Sequence, residues 1–516
     1  MSAERVFTRL QNGSDVRGAA IGTAKEPRTL TPDLAQYIAY AFVQWLAEHT
    51  GKDPETLRVA VGHDSRVTAD VIREACLKGM SSAQVYDCGL TSTPAMFQST
   101  VLPATAFEGA ARITASHLPY NRNGIKFFTK EGGLEKADLT DVLRRAAALA
   151  QQYGEEDPEA LVSASRLPVR QGHAAEKCPL SDLYAQHMRE MICSGVAAED
   201  YAHPLRGLKI VVDAGNGAAG FFATKILEPL GANIRGSQFL EPDGMFPNHV
   251  PNPENEEAMA SVTAAVLDNH ADLGVIFDCD GDRGAVVFAD GTPVNRNTLI
   301  ALLAAIIRDK APGSTIVTDS ITSDELHAFL EEDLGMKHLR FKRGYKNVIN
   351  KGIELNAAGE DCELAIETSG HGAFKENYFS DDGAYIAVKI IIRMARMMRE
   401  GKRIEDLIAG LRYPAESIER RFRIEEEDFA ACGGEVLEAF EAFARQDARF
   451  HIVTPNYEGI RIAFDDKEVK GWLLLRRSLH DPVLPLNIEA EEKGGAQIIL
   501  DRIAPFIEAN KERIRL

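Results

Sequence analysis

The stretch Asp272-Leu273-Gly274-Val275-Ile276-Phe277-Asp278-Cys279-Asp280-Gly281-Asp282-Arg283 decides the fold. Its first half is a short apolar run that reads as a strand. Its second half sets carboxylates at 278, 280 and 282 around a glycine. The three aspartates therefore stand at the carboxyl end of a strand, where α/β sheets place ligand sites. Gly281 permits a tight backbone that aims alternate carboxylates at one point. Three oxygen ligands that leave room for a phosphate oxygen suit a hard cation such as Mg²⁺. Cys279 reads as a small space-filling residue pointing away, because a hard cation has no use for sulfur.

The same rhythm recurs on either side. Leu57-Arg58-Val59-Ala60-Val61-Gly62 predicts a strand, followed by Asp64-Ser65-Arg66 and a helix from Thr68 to Met80. Lys209-Ile210-Val211-Val212-Asp213 predicts another, ending in Ala214-Gly215-Asn216-Gly217 and a helix. Thr315-Ile316-Val317-Thr318 is a further strand. Strand, glycine-rich turn and helix in succession are the mark of α/β layers. The last hundred residues differ: strands over 459–464, 471–476 and 484–490 with flanking helices predict an α+β domain. Linkers are expected over 151–179, at Asp290-Gly291-Thr292-Pro293 and at Arg412-Tyr413-Pro414. A chain of 516 residues holds three to four domains at roughly 100–200 residues each. The expected division is 1–180, 181–293 and 294–413 as three similar mixed α/β domains, and 414–516 as the α+β domain.

Bulk properties narrow the function. The net charge of −19 and pI of about 5.2 repel a phosphate backbone, which argues against a nucleic-acid partner. An anionic substrate must then be drawn by a local basic site. The opening Met1-Ser2-Ala3-Glu4-Arg5 contains no apolar leader, and runs such as 299–307 are too short to cross a membrane. Seven scattered cysteines without a C-x-x-C read as reduced thiols of a cytoplasmic protein.

A second run carries a nucleophile. In Ile113-Thr114-Ala115-Ser116-His117-Leu118-Pro119-Tyr120-Asn121-Arg122-Asn123-Gly124-Ile125-Lys126, the Ser116 hydroxyl lies on a turn-rich loop after a strand-like segment. Lys126 is a short loop away. Phosphorylated, Ser116 would carry close to two negative charges and would need a cation, whose other ligands the aspartate loop supplies.

The two runs together, T-A-S-H-x-P-x-x-x-N-G-x-K and D-x-D-G-D-R, resemble the α-D-phosphohexomutase superfamily. The resemblance implies three similar α/β domains and a distinct fourth around a central cleft. It implies Mg²⁺ held by Asp278, Asp280, Asp282 and phosphorylated Ser116, with Arg283 near the reacting phosphate. Arg17, in Gly13-Ser14-Asp15-Val16-Arg17-Gly18, matches the family's D-x-R-G arginine; a surface ion pair is the alternative. Lys126 is the candidate base for the accepting hydroxyl if its pKa is lowered. Glu367-Thr368-Ser369-Gly370-His371 resembles G-E-x-S-G-H, in which Glu and Ser hold sugar hydroxyls and His approaches the reacting one; Ile366 replaces the usual glycine. Lys346 matches the basic residue of a glycine-centred loop. Arg476 and Ser478 match a loop that grips the non-reacting phosphate, with Leu479 and His480 replacing its small residue and threonine and His480 a further candidate donor.

The expected activity is interconversion of the 1- and 6-phosphates of glucose or mannose through a phosphoserine enzyme. A glucose or mannose 1,6-bisphosphate would serve as intermediate and activator. The alternatives are a phosphoglucosamine or phospho-N-acetylglucosamine mutase, a sugar-phosphate-binding relative without turnover, and a phosphatase. The expected partner is a phosphosugar, with no membrane or nucleic acid, in a monomer or homodimer.

Overall fold

A computed structural model describes residues 3–154, 163–170, 174–426, 428–478 and 481–516. They fall into two compact units. The first contains Met1–Asn295, Ser369–Ala373 and Asn377–Ile404; the second contains Arg296–Thr368, Phe374–Glu376 and Glu405–Leu516.

In the first unit, a sheet runs in the order Gln11–Asn12, Asp15–Ala19, Arg122–Thr129, Gly109–Ile113, Arg58–His63, Gln84–Leu90, Glu176–Lys177. Its centre is parallel, Arg58–His63 lying between Gly109–Ile113 and Gln84–Leu90. Arg122–Thr129 then turns back antiparallel on Gly109–Ile113, pairing Ile113 with Ile125 and Arg112 with Lys126. The Ser116 loop is thus the connection of an antiparallel pair. The helix Pro32–Thr50 covers the sheet. It begins at Thr31, whose side chain accepts from the Leu34 amide, and ends at Gly51 in a left-handed conformation. Phe42 on this helix stacks on Phe127 of the sheet at 4.3 Å between ring centres, a contact whose loss in Phe42→Ala would cost about 3–5 kcal/mol.

A second sheet in this unit has the order Pro293–Val294, Gly284–Phe288, Leu273–Phe277, Ile210–Asp213. Leu273–Phe277 is parallel to Ile210–Asp213 and antiparallel to Gly284–Phe288, with Phe277 opposite Gly284. The aspartate loop is therefore also an antiparallel connection, not a strand-to-helix turn. The helix expected after Gly217 is reduced to a wide turn at Phe222–Leu227 and a tight one at Glu228–Leu230. Pro229 lacks the amide needed to continue it.

Two of the expected linkers have structure of their own among the described residues, 155–162 and 171–173 lying outside them. Asp290-Gly291-Thr292 is a hairpin turn, with Phe288 N donating to Thr292 O at 3.0 Å. Within 151–179, Ala164 and Leu167 join the core, Tyr37 donates to the Ser163 carbonyl at 2.9 Å, and Glu176–Lys177 forms the sheet's edge strand.

In the second unit, Thr315–Thr318 lies parallel between Lys337–Arg340 and Leu364–Ile366. Ile366 is fully buried at the end of its strand, so it fills core and not loop. The C-terminal part is an antiparallel sheet in the order His451–Ile452, Ile460–Asp465, Lys470–Leu475, Val483–Ala490, Glu416–Ile424, Ile514–Arg515. The helices Phe429–Ala444 and Gly495–Ala509 share its apolar core. No helix among the described residues is long and apolar enough to cross a membrane.

Candidate active site

In the first unit, the two antiparallel connections meet. Gly281 has φ +76°, the left-handed conformation that turns the aspartate loop back on itself. The loop is clamped from behind: Ala218 N donates to Cys279 O at 2.8 Å, and a Cβ on Gly217 would lie 2.4 Å from that oxygen. Cys279 is buried with its Sγ toward Asp64, away from the carboxylates as expected.

Asp278, Asp280 and Asp282 are fully buried, and one ligand oxygen of each lies within 4.8 Å of the others. Asp278 Oδ1 accepts from the amides of Gly281 (2.9 Å) and Arg283 (3.2 Å). Asp280 Oδ2 accepts from Thr93 Oγ1 at 2.5 Å, and Asp282 Oδ2 from Lys126 Nζ at 2.7 Å. The remaining Oδ1 atoms of Asp280 and Asp282 are buried and hydrogen-bond nothing among the described residues. Buried carboxylate oxygens in that state are costly unless a cation meets them, so the site fits a hard divalent ion. Burial raises Asp278 well above the usual carboxylate range, with Asp282 and Asp280 adding to it. Burial acts the same way on Asp280, but Lys126 and Arg112 outweigh it and hold that carboxyl low.

Ser116 sits at φ +50°, a conformation uncommon for a residue with a side chain. Its amide donates to Thr114 Oγ1 at 2.8 Å. Its Oγ donates to Asp278 Oδ2 at 3.0 Å and accepts from Arg283 Nη2 at 3.3 Å. Arg283 also contacts His117 Nδ1 and donates to Asn252 Oδ1 at 3.1 Å. Arg17 reaches the Thr114 carbonyl and pairs with Asp15 at 2.8 Å, so it braces the serine loop two residues before Ser116. His371 Nδ1 lies 3.0 Å from Asp381 Oδ2 and 3.8 Å from Asp282 Oδ1. Burial opposes its charged form, but Asp282 and Asp381 prevail and raise its pKa.

Several members escaped the sequence reading. Arg66, buried beside Asp64, donates to the carbonyls of Ser116, Leu118, Pro119 and Arg122, so one guanidinium holds the whole serine loop. Arg112, fully buried, donates through Nε to Thr93 Oγ1 at 3.2 Å and places positive charge behind Asp280. Asp64-Ser65-Arg66 at the end of a strand was the available signal for the first; Arg112 had none, being one residue inside a strand.

The second unit holds other expected residues. Glu367 Oε1 accepts from the Gly344 amide at 2.6 Å. Lys346 lies in the first turn of the helix Tyr345–Ala357, not in the loop before it. Arg343 N donates to Glu458 at 3.2 Å, and its Nε is 3.9 Å from Asp319, which accepts from Thr368 Oγ1 at 2.7 Å. Arg476 follows the strand Lys470–Leu475, is 7% exposed, and has an Nε without a hydrogen-bond partner among the described residues. Burial, then Arg343, lowers its pKa. Ser478 Oγ accepts from the Asp481 amide at 3.2 Å. Arg477 turns elsewhere, donating to the Ala430 carbonyl. His480 and Leu479 lie outside the described residues. Glu367 belongs to the second unit, whereas Ser369 and His371 belong to the first.

Comparison with known proteins agrees with this chemistry. The sequence models for phosphoglucomutase/phosphomannomutase alpha/beta/alpha domains I, II and III match residues 8–153, 182–291 and 295–413. A phosphomannomutase/phosphoglucomutase of Pseudomonas syringae pv. tomato is 30% identical, over 88% of this chain and 87% of its own. A phosphoglucomutase of Neisseria gonorrhoeae is 28% identical over 94% and 95%. The crystal structure of a phosphoglucomutase/phosphomannomutase family protein from Burkholderia thailandensis superimposes with a TM-score of 0.76 at 26% identity, covering 99% of this chain and 98% of that one. This chain belongs to the phosphoglucomutase/phosphomannomutase family of the α-D-phosphohexomutase superfamily, and is a mutase of the isomerase class.

Proposed function

We propose that the chain interconverts hexose 1-phosphate and hexose 6-phosphate, with glucose or mannose as the sugar, by way of phosphorylated Ser116. The observation that carries this is the Ser116 hydroxyl, 3.0 Å from Asp278 and 3.3 Å from Arg283, in a site where two buried carboxylate oxygens lack a hydrogen bond among the described residues. Mg²⁺ bound by Asp278, Asp280, Asp282 and a phosphoserine oxygen would neutralise charge on the phosphoryl group in transit. Arg283, whose Nη2 donates to Ser116 Oγ, would stabilise the equatorial charge. The carbonyl grip of Arg66 and the brace of Arg17 keep Ser116 in line, because transfer depends on alignment more than on covalent chemistry. Lys126 and His371 are the candidates to take and return the sugar hydroxyl's proton. Glu367, Ser369 and Lys346 hold the sugar, and Arg476 and Ser478, with His480, hold the phosphate that is not reacting. A sugar bisphosphate that presents its other phosphate to Ser116 completes the cycle, so glucose or mannose 1,6-bisphosphate is the activator. The four-domain division, a cytoplasmic setting and a monomer or homodimer belong to the same proposal.

An amino-sugar substrate is the second reading, favoured by the phosphoglucosamine mutase of Kineococcus radiotolerans, 27% identical over 93% of this chain. The test is ³¹P NMR of glucose 1-phosphate, mannose 1-phosphate and glucosamine 1-phosphate in turn, with Mg²⁺ and a trace of the matching bisphosphate. Growth of a 6-phosphate resonance ranks the sugars. Release of inorganic phosphate, or no reaction with any of them from Ser116-phosphorylated protein, would overturn the proposal.

A further inference from the structure

The edge of the first sheet carries a pair of cysteines that the mutase chemistry does not use. Glu176–Lys177 runs parallel to Gln84–Leu90, with Tyr86 opposite Glu176 and Asp87 opposite Lys177. Cys178 N closes the Asp87–Lys177 pair by donating to Asp87 O at 3.0 Å, and the next residues along the two strands are Cys88 and Cys178. Neighbouring strands lie about 4.8 Å apart, within the range of Cα separations that a disulfide spans. On its other side, the strand steps in register between Asp87 and Gly89 against Arg58–His63, which leaves Cys88 as the extra residue of a bulge, where a side chain is re-aimed.

The pair is asymmetric. Cys88 is buried, while Cys178 is the one cysteine of seven that is not. The Cys88 thiol, then the Arg58 guanidinium, favour the Cys178 thiolate against its partial burial and lower its pKa. Elsewhere burial pushes the Cys76 and Cys362 thiols up to about 12. A partly exposed thiol next to a buried one is the arrangement of an attacking and a resolving cysteine.

We propose that Cys88 and Cys178 form a redox modification site, a dithiol that a hydroperoxide converts to an intrachain disulfide. The Cys178 thiolate attacks the terminal peroxide oxygen, forming an S–O bond and breaking the O–O bond. The departing alkoxide takes a proton from solvent and leaves as an alcohol, or as water when the oxidant is hydrogen peroxide. The Cys88 sulfur then attacks Cys178 sulfenic acid; the S–S bond forms, the S–O bond breaks, and water leaves with the Cys88 proton. Two electrons pass from the sulfurs to the peroxide. The product fastens the edge strand to its neighbour, at the start of the segment leading into the helix Leu180–Val196.

The test uses the full chain, folded and reduced, with limiting hydrogen peroxide. Iodoacetamide at neutral pH should label Cys178 at least ~10-fold faster than the other six cysteines. Peroxide should yield one cross-linked peptide pair joining Cys88 to Cys178, lighter by two hydrogens and reversed by dithiothreitol. In Cys88→Ser, Cys178 should stop as a sulfenic acid trapped by dimedone, and Cys88→Ala should give the same if the serine variant folds poorly. Cross-links between other cysteines, or oxidation of Cys178 only after denaturation, would overturn the proposal. So would uniform labelling, or no sulfenic acid in both variants.

Discussion

In the first unit, Asp278, Asp280 and Asp282 are fully buried at the end of a strand paired on both sides, and amides, hydroxyls and Lys126 hold them. In the second, Arg476 and Ser478 stand where a strand runs out into a loop. Among the described residues, the first site leaves two buried carboxylate oxygens without a hydrogen bond, together with guanidinium nitrogens of Arg112 and Arg283, whereas the second site leaves only the Arg476 Nε. One region fits a cation and the other an anion. The difference teaches where rigidity is needed. Phosphoryl transfer loses rate steeply with misalignment, so its groups are locked by neighbours. Phosphate recognition rests instead on a planar charged fork matched to the ligand's oxygens. The departures at Leu479 and His480 from the family's pattern fall in the sequence of the proposed phosphate-gripping loop and not in the serine or aspartate loop.

The largest expected effect falls on the reactive region. Ser116→Ala should reduce mutase turnover on the order of 10⁴-fold or more, since the phosphoryl carrier is gone. Full turnover by that variant, read by ³¹P NMR, would break the division of roles.

Removing a proposed metal ligand should come next. Asp280→Asn should weaken Mg²⁺ activation by more than the roughly 10–100-fold that outer partners of a metal contribute. A titration of activity against Mg²⁺ reads it. An unchanged midpoint would mean that the partnerless oxygens of the triad serve something else.

Arg476→Met should act on binding instead. Loss of a charge-assisted phosphate contact should raise KM about 10–100-fold with a smaller change in kcat. A fall confined to kcat would place Arg476 with the reactive groups and erase the contrast between the regions.

The smallest effect concerns stability. Glu489, buried in the second unit, accepts from Trp472 Nε1 at 3.0 Å and Ser417 Oγ at 3.2 Å. Burial, with Glu325 adding to it, raises its carboxyl from 4.5 to about 7. Between those values the folded chain keeps a proton that the unfolded chain releases, so stability falls as pH rises, and above about 7 the loss is complete. Glu489→Gln should therefore raise stability at pH 8 by about 1–3 kcal/mol and change little at pH 4. Denaturant melts at both pH values measure it; an equal shift at each would show a packing effect and no titration.

Residues 272–283 and 113–126 by themselves determined the α/β class and pointed to Ser116 and the aspartate loop as the candidate nucleophile and cation site. Strand patterning and alternate carboxylates act over a few neighbouring residues, and that local physics is visible in one dimension. The α+β character of the last hundred residues was legible for the same reason, from alternating strands at 459–464, 471–476 and 484–490. Only the tertiary structure showed that both loops connect antiparallel strands, that Pro229 cuts short the helix after Gly217, and that residues 163–170 pack onto the core. It alone brought in Arg66 from 50 residues away to hold four carbonyls of the Ser116 loop, and Arg112 from within a strand to stand behind Asp280. Backbone carbonyls carry no signature in a sequence, and the charge of a buried arginine matters only through what folding places beside it.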